Sequence, residues 1–453
     1  MATIKSPGTG WRKYQTALQK KTARKKKINH LFKYVILPGV LILLVYFTAA
    51  KVIALLPAQT GIAHKKNIKT DIPVEKKELT QKEVFDLLNG KKLINLNQNK
   101  FLFTANGIPM EAMLTVDSDL QDFVLKKMKT KTSKYMGIVV MNPESGSILT
   151  MAGYNRIDPL SNPCTEITFP AASIFKIITA AAVIEECGFT PESRVVYNGN
   201  KYTLYKSQLK NRINKYSNKV KFKDAFAQSI NPVFGKIGMH YLNDSVLLNY
   251  SEAFGFNQQI NFEIPLIPSS FSISNKPYNW AEIACGFNRT TMITPLHGAL
   301  IGSVILNKGN FVEPKIVAKV TGEAGKILYK SKTSSFRKVV SPETSAIIHG
   351  LMKNTIRTGT GKKVFRGYKK DRVLSQLNIG GKTGSINNNK YHIRFDWFVG
   401  FAEEKNGNEK IVVSVMVAHE KYIGITAGKY ARIIMEKYFY KYFAAQKEEH
   451  KKS

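Results

Sequence analysis

An uncharged run, YVILPGVLILLVYFTAA, occupies Tyr34–Ala50 and decides how the rest of the chain is laid out. Continued through KVIALLP to Pro57, it has about the length that a bilayer core requires. Lys51 lies near one end, where a lysine can extend its ammonium to the interface. Pro38 and Gly39 are tolerated in a membrane helix. Residues 1–33 ahead of it carry ten Lys/Arg and no acid. Such a flank stays on the cytoplasmic side, which places residues 58–453 beyond the membrane. A cleaved signal peptide has a shorter leading region and a shorter apolar core. The expectation is therefore an uncleaved single-pass anchor at 34–57 in the cytoplasmic (inner) membrane, behind a basic tail at 1–33.

The chain has 453 residues, 43% of them hydrophobic, enough for one large domain or two ordinary ones. Net charge is +36, and without the tail 58 basic residues still face 32 acidic ones. That balance implies anionic surroundings such as nucleic acid, lipid headgroups or a wall polymer. The membrane span and the absence of a binding motif disfavour nucleic acid. The six basic residues from Lys210 to Lys223 read as a solvated surface. Three cysteines do not make a disulfide framework. Cys187, on an apolar stretch, reads as a buried free thiol. The eight histidines show no metal-ligand spacing and there is no HExxH, so no metal and no cofactor are expected.

Residues 58–111 are polar and lysine-rich, with a short helical signal in TQKEVFDLLNG, and read as a stalk. The texture changes near Ala112. Residues 137–154 read as two strands around a Pro/Gly turn. Residues 173–187 read as a buried helix, and 223–242 as a helix interrupted by Pro232. LNIGGKTGS, RFDWFVGFAEE and KIVVSVMVAHE read as three strands, followed by a closing helix and a frayed polar tail at 446–453. Strands, then helices, then strands and a helix predict an α+β fold in which an antiparallel sheet is flanked by helices.

Ser173 and Lys176 stand at the start of the apolar stretch FPAASIFKIITAAAVIEECGF. Serine is a weak nucleophile that needs a neighbouring base. At i and i+3 on a helix the two side chains share a face. Burial disfavours the ammonium, so a neutral lysine can take the serine proton. Ser-x-x-Lys also occurs at 207–210 and 335–338, but in polar, lysine-rich surroundings. Ser-x-Asn occurs at Ser229–Asn231 and again at 385–387, while Lys-Thr-Gly occurs once, at Lys382–Gly384. In the order Ser-x-x-Lys, Ser-x-Asn, Lys-Thr-Gly they form the set used by penicillin-binding proteins and serine β-lactamases.

On these residues the chain resembles the penicillin-binding protein transpeptidases, monofunctional and class B-like. MLTVDSDLQ (113–121), CGFNRTTMITPLHGALIGSVILNKG (285–309), IRTGTGKKV (356–364) and DWFVGF (396–401) extend the resemblance over about 112–445. It implies that Ser173 attacks the penultimate D-Ala carbonyl of a peptidoglycan stem peptide with Lys176 as its base. Ser229 then relays a proton to the leaving D-alanine, and Asn231 orients the substrate amide and Lys176. Lys382 and Thr383 hold the substrate carboxylate, the strand after Gly384 pairs with the peptide, and the backbone N–H groups of Ser173 and Ser385 form an oxyanion hole. An amine from a second stem peptide takes the acyl group. β-Lactams would be covalent inhibitors.

Residues 58–111 are too few for a glycosyltransferase domain, so the resemblance implies a separate glycan polymerase as partner. A nearly bare catalytic domain leaves a D,D-carboxypeptidase or endopeptidase as the alternative activity. A β-lactamase needs a base for its deacylating water, and no Glu-x-x-x-Asn lies between the second and third motifs. A β-lactam-sensing domain would come with a membrane metalloprotease, of which there is no motif. Trp397 and Phe398 read as sheet core.

Overall fold

Runs of β-branched and aromatic residues favour extended, pleated backbone, and they set the central layer of the protein. The computed structural model of the chain describes residues 78–105, 107–332, 337–388 and 390–452. The expected basic tail, the anchor, the first part of the stalk and Ser335 lie outside the described residues. Among the described residues no helix is long and apolar enough to cross a membrane.

The principal elements, in chain order, begin with helix α1 (Gln81–Leu88) and strands β1 (Lys100–Ala105) and β2 (Ile108–Leu114). Helix α2 (Ser118–Lys127) and the hairpin of β3 (Ser133–Met141) and β4 (Ile148–Asn155) follow. Next come helices α3 (Lys176–Cys187), α4 (Phe222–Ala227), α5 (Asn231–His240), α6 (Asp244–Ala253), α7 (Pro277–Cys285) and α8 (Pro295–Leu306). Strands β5 (Val317–Thr321) and β6 (Ile327–Lys330) lead to α9 (Pro342–Arg357). Strands β7 (Leu377–Asn388), β8 (Ile393–Glu404) and β9 (Lys410–His419) and the closing helix α10 (Ala427–Lys452) complete the order.

The main sheet has the order β7-β8-β9-β3-β4, antiparallel throughout. Its middle strand β9 is buried from Ile411 to His419, as a near-continuous apolar run requires when both faces are covered. One face carries α10, whose Tyr430, Ile434 and Phe439 join Phe398 and Val415 in an apolar cluster. The other carries α8, which is buried along its whole length, the condition a helix apolar all round must meet. Gly298 and Gly302 let α8 lie close to β9, because a Cβ there would meet Ser414 Oγ at 2.5 Å or Val412 Cγ1 at 2.8 Å. β7 is the sheet's edge, so one row of its backbone groups has no strand partner.

A smaller sheet, β1-β2-β5-β6, is also antiparallel. β2 runs through residue 112, the position where the sequence reading places the start of the enzymatic domain. Its partner β5 lies some 200 residues away in the chain, beyond the reach of local pattern.

Four expectations are corrected. The described part of the expected stalk at 58–111 holds α1, β1 and most of β2, with Val84, Leu88 and Phe103 buried in the core. The helix expected over 223–242 is two helices, with Ser229 between them in the left-handed region at φ 57°. The tail after Ala445 is not frayed, since α10 continues through Lys452. Cys187 is exposed, because it ends α3 just before the left-handed cap Gly188 and its turn faces outward. Cys164 and Cys285 are buried free thiols.

Candidate active site

Ser173 sits in the tight turn Ala172–Phe175 that runs directly into α3, and Lys176 is the first residue of that helix. Ala172 before it holds φ 48°, a conformation that costs an L-residue about 1–2 kcal/mol and persists only where the surroundings impose it. Part of that imposition comes from Gly286, the left-handed cap of α7 (φ 70°). A Cβ on Gly286 would meet the Ala172 carbonyl oxygen at 1.9 Å. Only glycine lets the two segments lie that close.

Lys176 is fully buried. Its ammonium donates to Ser173 Oγ at 2.7 Å, to Asn231 Oδ1 at 2.8 Å and to the Cys285 carbonyl at 2.5 Å. Three donors meet three acceptors, which fixes Nζ beside the serine. Phe234 lies across it, 5.6 Å from Nζ to the ring centre. Burial pushes the lysine down to about 8, so an appreciable neutral fraction exists near neutral pH. Asn231 is itself oriented, since its Nδ2 donates to the Tyr202 carbonyl at 3.0 Å and leaves the amide oxygen for Lys176.

Ser229 Oγ accepts from Lys382 Nζ at 2.8 Å, and the same ammonium reaches the Thr383 carbonyl at 3.0 Å. Lys382 is fully buried on β7. Burial, and then the charge of Lys176, hold it well below the usual lysine range. Thr383 Oγ1 lies 2.5 Å from Thr360 Oγ1. Gly384 brings the edge strand against the nucleophile, with a Cβ position 3.3 Å from the Ser173 nitrogen.

These groups surround one cleft of about 690 Å³, lined by Ser173, Ser229, Asn231, Thr383, Gly384 and Ser385 with Lys176 and Lys382 buried beside it. All eight expected site residues meet there. Ser207 and Lys210 of the second Ser-x-x-Lys are exposed and outside it. Trp397 and Phe398 are fully buried. The Trp397 indole N–H donates to the Pro170 carbonyl at 2.9 Å and fixes the approach to the nucleophile turn. Among the described residues no cluster of three His, Cys, Asp or Glu side chains is placed to hold a metal ion.

Several residues of the site carry no sequence signal of their own. The Cys285 carbonyl and Gly286 act through backbone. Tyr202 and Arg394 come from outside the three motifs, while Thr360 lies in the TGTG segment and had a findable signal. Arg289 donates twice to the Asn387 carbonyl, at 2.7 and 3.2 Å, and both residues line the cleft.

A family model described as the penicillin binding protein transpeptidase domain matches residues 136–438. The chain belongs to this family. Stage V sporulation protein D of Bacillus subtilis is 26% identical over 331 residues, 68% of this chain and 49% of that protein. Peptidoglycan D,D-transpeptidase PbpA of Mycolicibacterium smegmatis is 23% identical over 325 residues, 62% of this chain and 61% of its own length. The chain thus spans about half the length of the first of these relatives. The fold is that of the D,D-transpeptidase domain of a peptidoglycan glycosyltransferase from Eggerthella lenta, with TM-score 0.59, 22% identity and coverage of 72% of this chain and 81% of that one. It is also that of penicillin-binding protein A from Mycobacterium tuberculosis, solved as a penicillin G acyl-enzyme complex, with TM-score 0.55, 21% identity and coverage of 71% and 78%.

Proposed function

We propose that this penicillin-binding protein is a class B-like serine D,D-transpeptidase that cross-links peptidoglycan stem peptides through an acyl-enzyme on Ser173. The observation that carries the reading is the buried Lys176 ammonium shared between Ser173 Oγ, Asn231 Oδ1 and the Cys285 carbonyl. Neutral Lys176 takes the proton of Ser173 as its Oγ adds to the penultimate D-Ala carbonyl. The developing oxyanion is held by the Ser173 and Ser385 backbone N–H groups. The C–N bond then breaks, and the proton passes through Ser229 to the amine of the departing D-alanine. Lys382, beside Ser229, supports that transfer, and Thr383 with Thr360 holds the substrate carboxylate. The donor peptide lies along the open edge of β7 as an added strand. In the second half an acceptor amine adds to the ester, its proton returns to Ser173 Oγ, and a new amide is released.

The same reading has residues 34–57 anchor the chain in the cytoplasmic membrane, the catalytic domain outside it, and a separate glycan polymerase as partner. The sequence of residues 1–57 supports the first part. β-Lactams would acylate Ser173. The test is labelling of membranes with a fluorescent penicillin, followed by peptide mapping. Label on the peptide containing Ser173, lost in Ser173→Ala, is expected. Label that survives Ser173→Ala, while Ser207→Ala or Ser335→Ala removes it, contradicts the reading.

A further inference from the structure

Four cations converge on a second cavity, away from Ser173. It has a volume of about 380 Å³ and lies at the start of β7. Asn378 meets there Lys353 and Arg357 of α9, Tyr368 and Lys369 of the turn Tyr368–Lys370, and Lys405 of the turn between β8 and β9. The cavity shares no lining residue with the Ser173 cleft. From Ile379 at this end to Gly384 at the cleft is roughly 16 Å along an extended strand. A ligand held here does not touch the reacting atoms.

Lys353 and Arg357 stand at i and i+4 on α9 and so share one face of the helix. Lys353 Nζ donates to Asn378 Oδ1 at 2.9 Å, and Lys405 Nζ donates to the Ser375 carbonyl at 2.7 Å. Both ammoniums are thereby positioned by neutral acceptors, which fix the charge without cancelling it. No carboxylate lines the cavity. Among the described residues none of the four cations forms an ion pair with a carboxylate. Glu403, opposite Asn378 across the strand pair, is taken by His349 at 2.8 Å. The Tyr368 hydroxyl and Asn378 Nδ2 have no hydrogen-bond partner among the described residues. Basic residues that only solvate a surface spread apart, because like charges repel. Here they face one concavity, and an anion inside it relieves their repulsion. A carboxylate brings one charge in one plane. A phosphate ester brings nearly two charges and oxygens that point in several directions, which matches donors arriving from α9, two turns and a strand.

We propose that this cavity is a binding site for a phosphate-bearing anion, a phosphate ester or a diphosphate, with Lys353, Arg357, Lys369 and Lys405 on its oxygens and Tyr368 and Asn378 as neutral donors. Lipid headgroups and soluble phosphates share this chemistry. The site holds a ligand and takes no part in bond making at Ser173. It stands or falls independently of the transpeptidase reading.

The experiment titrates inorganic pyrophosphate into the purified full chain in a non-ionic detergent by calorimetry. Salt is kept at about 0.15 M, where a Debye length of about 8 Å screens diffuse attraction. A saturable site is expected, with acetate at least about tenfold weaker. Arg357 and Lys369 are exposed, so their replacement does not threaten the fold. Arg357→Gln and Lys369→Gln should each raise the dissociation constant about tenfold, the size of one charge-assisted contact. The double variant Lys362→Gln/Lys363→Gln removes charge from the same basic stretch outside the cavity and should leave the affinity nearly unchanged. Thermal melting checks that each variant is folded. Phosphatidylglycerol added to the micelles separates the sources. Displacement of pyrophosphate by the lipid, beyond that by phosphatidylcholine, marks a headgroup, and its absence marks a soluble phosphate. No saturable binding, equal affinity for acetate, or an equal loss in the Lys362/Lys363 variant overturns the inference.

Discussion

Lys176 and Lys382 are both fully buried around one cleft, each with its Nζ on a different serine. Burial lowers both, and the charge of Lys176 lowers Lys382 further. Both shifts favour the neutral amine over the ammonium. The pair thereby supplies a neutral amine in a site where each hydroxyl must give or relay a proton.

The first consequence is a pH profile. Lys176 in the folded protein titrates at about 8, and only its neutral form can accept the serine proton. The rate of acylation by penicillin should rise with pH through about 8 and then level. Stability moves in the same direction. A lysine lowered from 10.5 is protonated more in the unfolded chain between about 8 and 10.5, so the fold gains stability across that window. Below it the burial costs about 3 kcal/mol. A stopped-flow series from pH 6 to 9.5 that shows no dependence would remove Lys176 from the role of base.

Gly286→Ala tests the support of the nucleophile turn. The new Cβ meets the Ala172 carbonyl oxygen at 1.9 Å, and φ 70° is unfavourable for alanine. A loss of about 2–3 kcal/mol in stability is expected. Displacement of Ser173 by a fraction of an ångström should also slow acylation at least ~10²-fold. Thermal melting and penicillin labelling measure the two, and wild-type labelling in the variant would contradict the account.

Thr360→Val removes one hydroxyl of the Thr360–Thr383 pair at nearly constant volume. One hydrogen bond of about 0.5–1.5 kcal/mol corresponds to a ~2–13-fold rise in KM for the stem-peptide donor. Thr360→Ser should recover most of it. An unchanged KM in the valine variant would mean that Thr383 does not depend on Thr360.

How much of this was legible depends on whether a residue acts through its own side chain or through the path of the backbone. Ser173 and Lys176 announce themselves, because a lysine at the head of an apolar helix has no bland explanation at that spacing. The strands 377–419 are legible from apolar runs bounded by turn residues. Ser229 is less so, since KDAFAQSINPVF reads as one helix with a proline, whereas the chain breaks at Ser229 and restarts at Asn231 with Pro232 in its first turn. The break is what points Ser229 at Lys382. Gly286 and the Cys285 carbonyl were invisible, because their role is a close approach between segments more than a hundred residues apart. Residues 100–111, in β1 and most of β2, read as stalk because β1 is mostly exposed and the partner of β2 lies near residue 320.

Glu263 gives a prediction away from the cleft. It is fully buried and accepts hydrogen bonds from the Ile316 N–H, Gln81 Nε2 of α1 and the Tyr329 hydroxyl, at 3.0, 3.2 and 3.5 Å. Burial pushes its carboxyl up to about 7. The folded protein then binds more protons than the unfolded chain between about 4.5 and 7, so this group lowers stability as pH rises across that window, by up to about 3 kcal/mol. Glu263→Gln should flatten the decline. Denaturation midpoints of wild type and variant at pH 5 and 7.5 decide it, and parallel curves would exclude the effect.

The central claim is an acyl-enzyme on Ser173 with no base placed for water among the described residues, since the one carboxylate lining the cleft, Asp396, accepts the Ala427 N–H. Intact-protein mass after a single penicillin pulse, followed for an hour, tests it most directly. An ester without such a base loses roughly 10²–10⁴-fold in hydrolysis rate. The account predicts a one-to-one adduct that persists for many minutes to hours in the wild type and never forms in Ser173→Ala. An adduct gone within seconds, with steady turnover of the drug, would contradict it and indicate a β-lactamase.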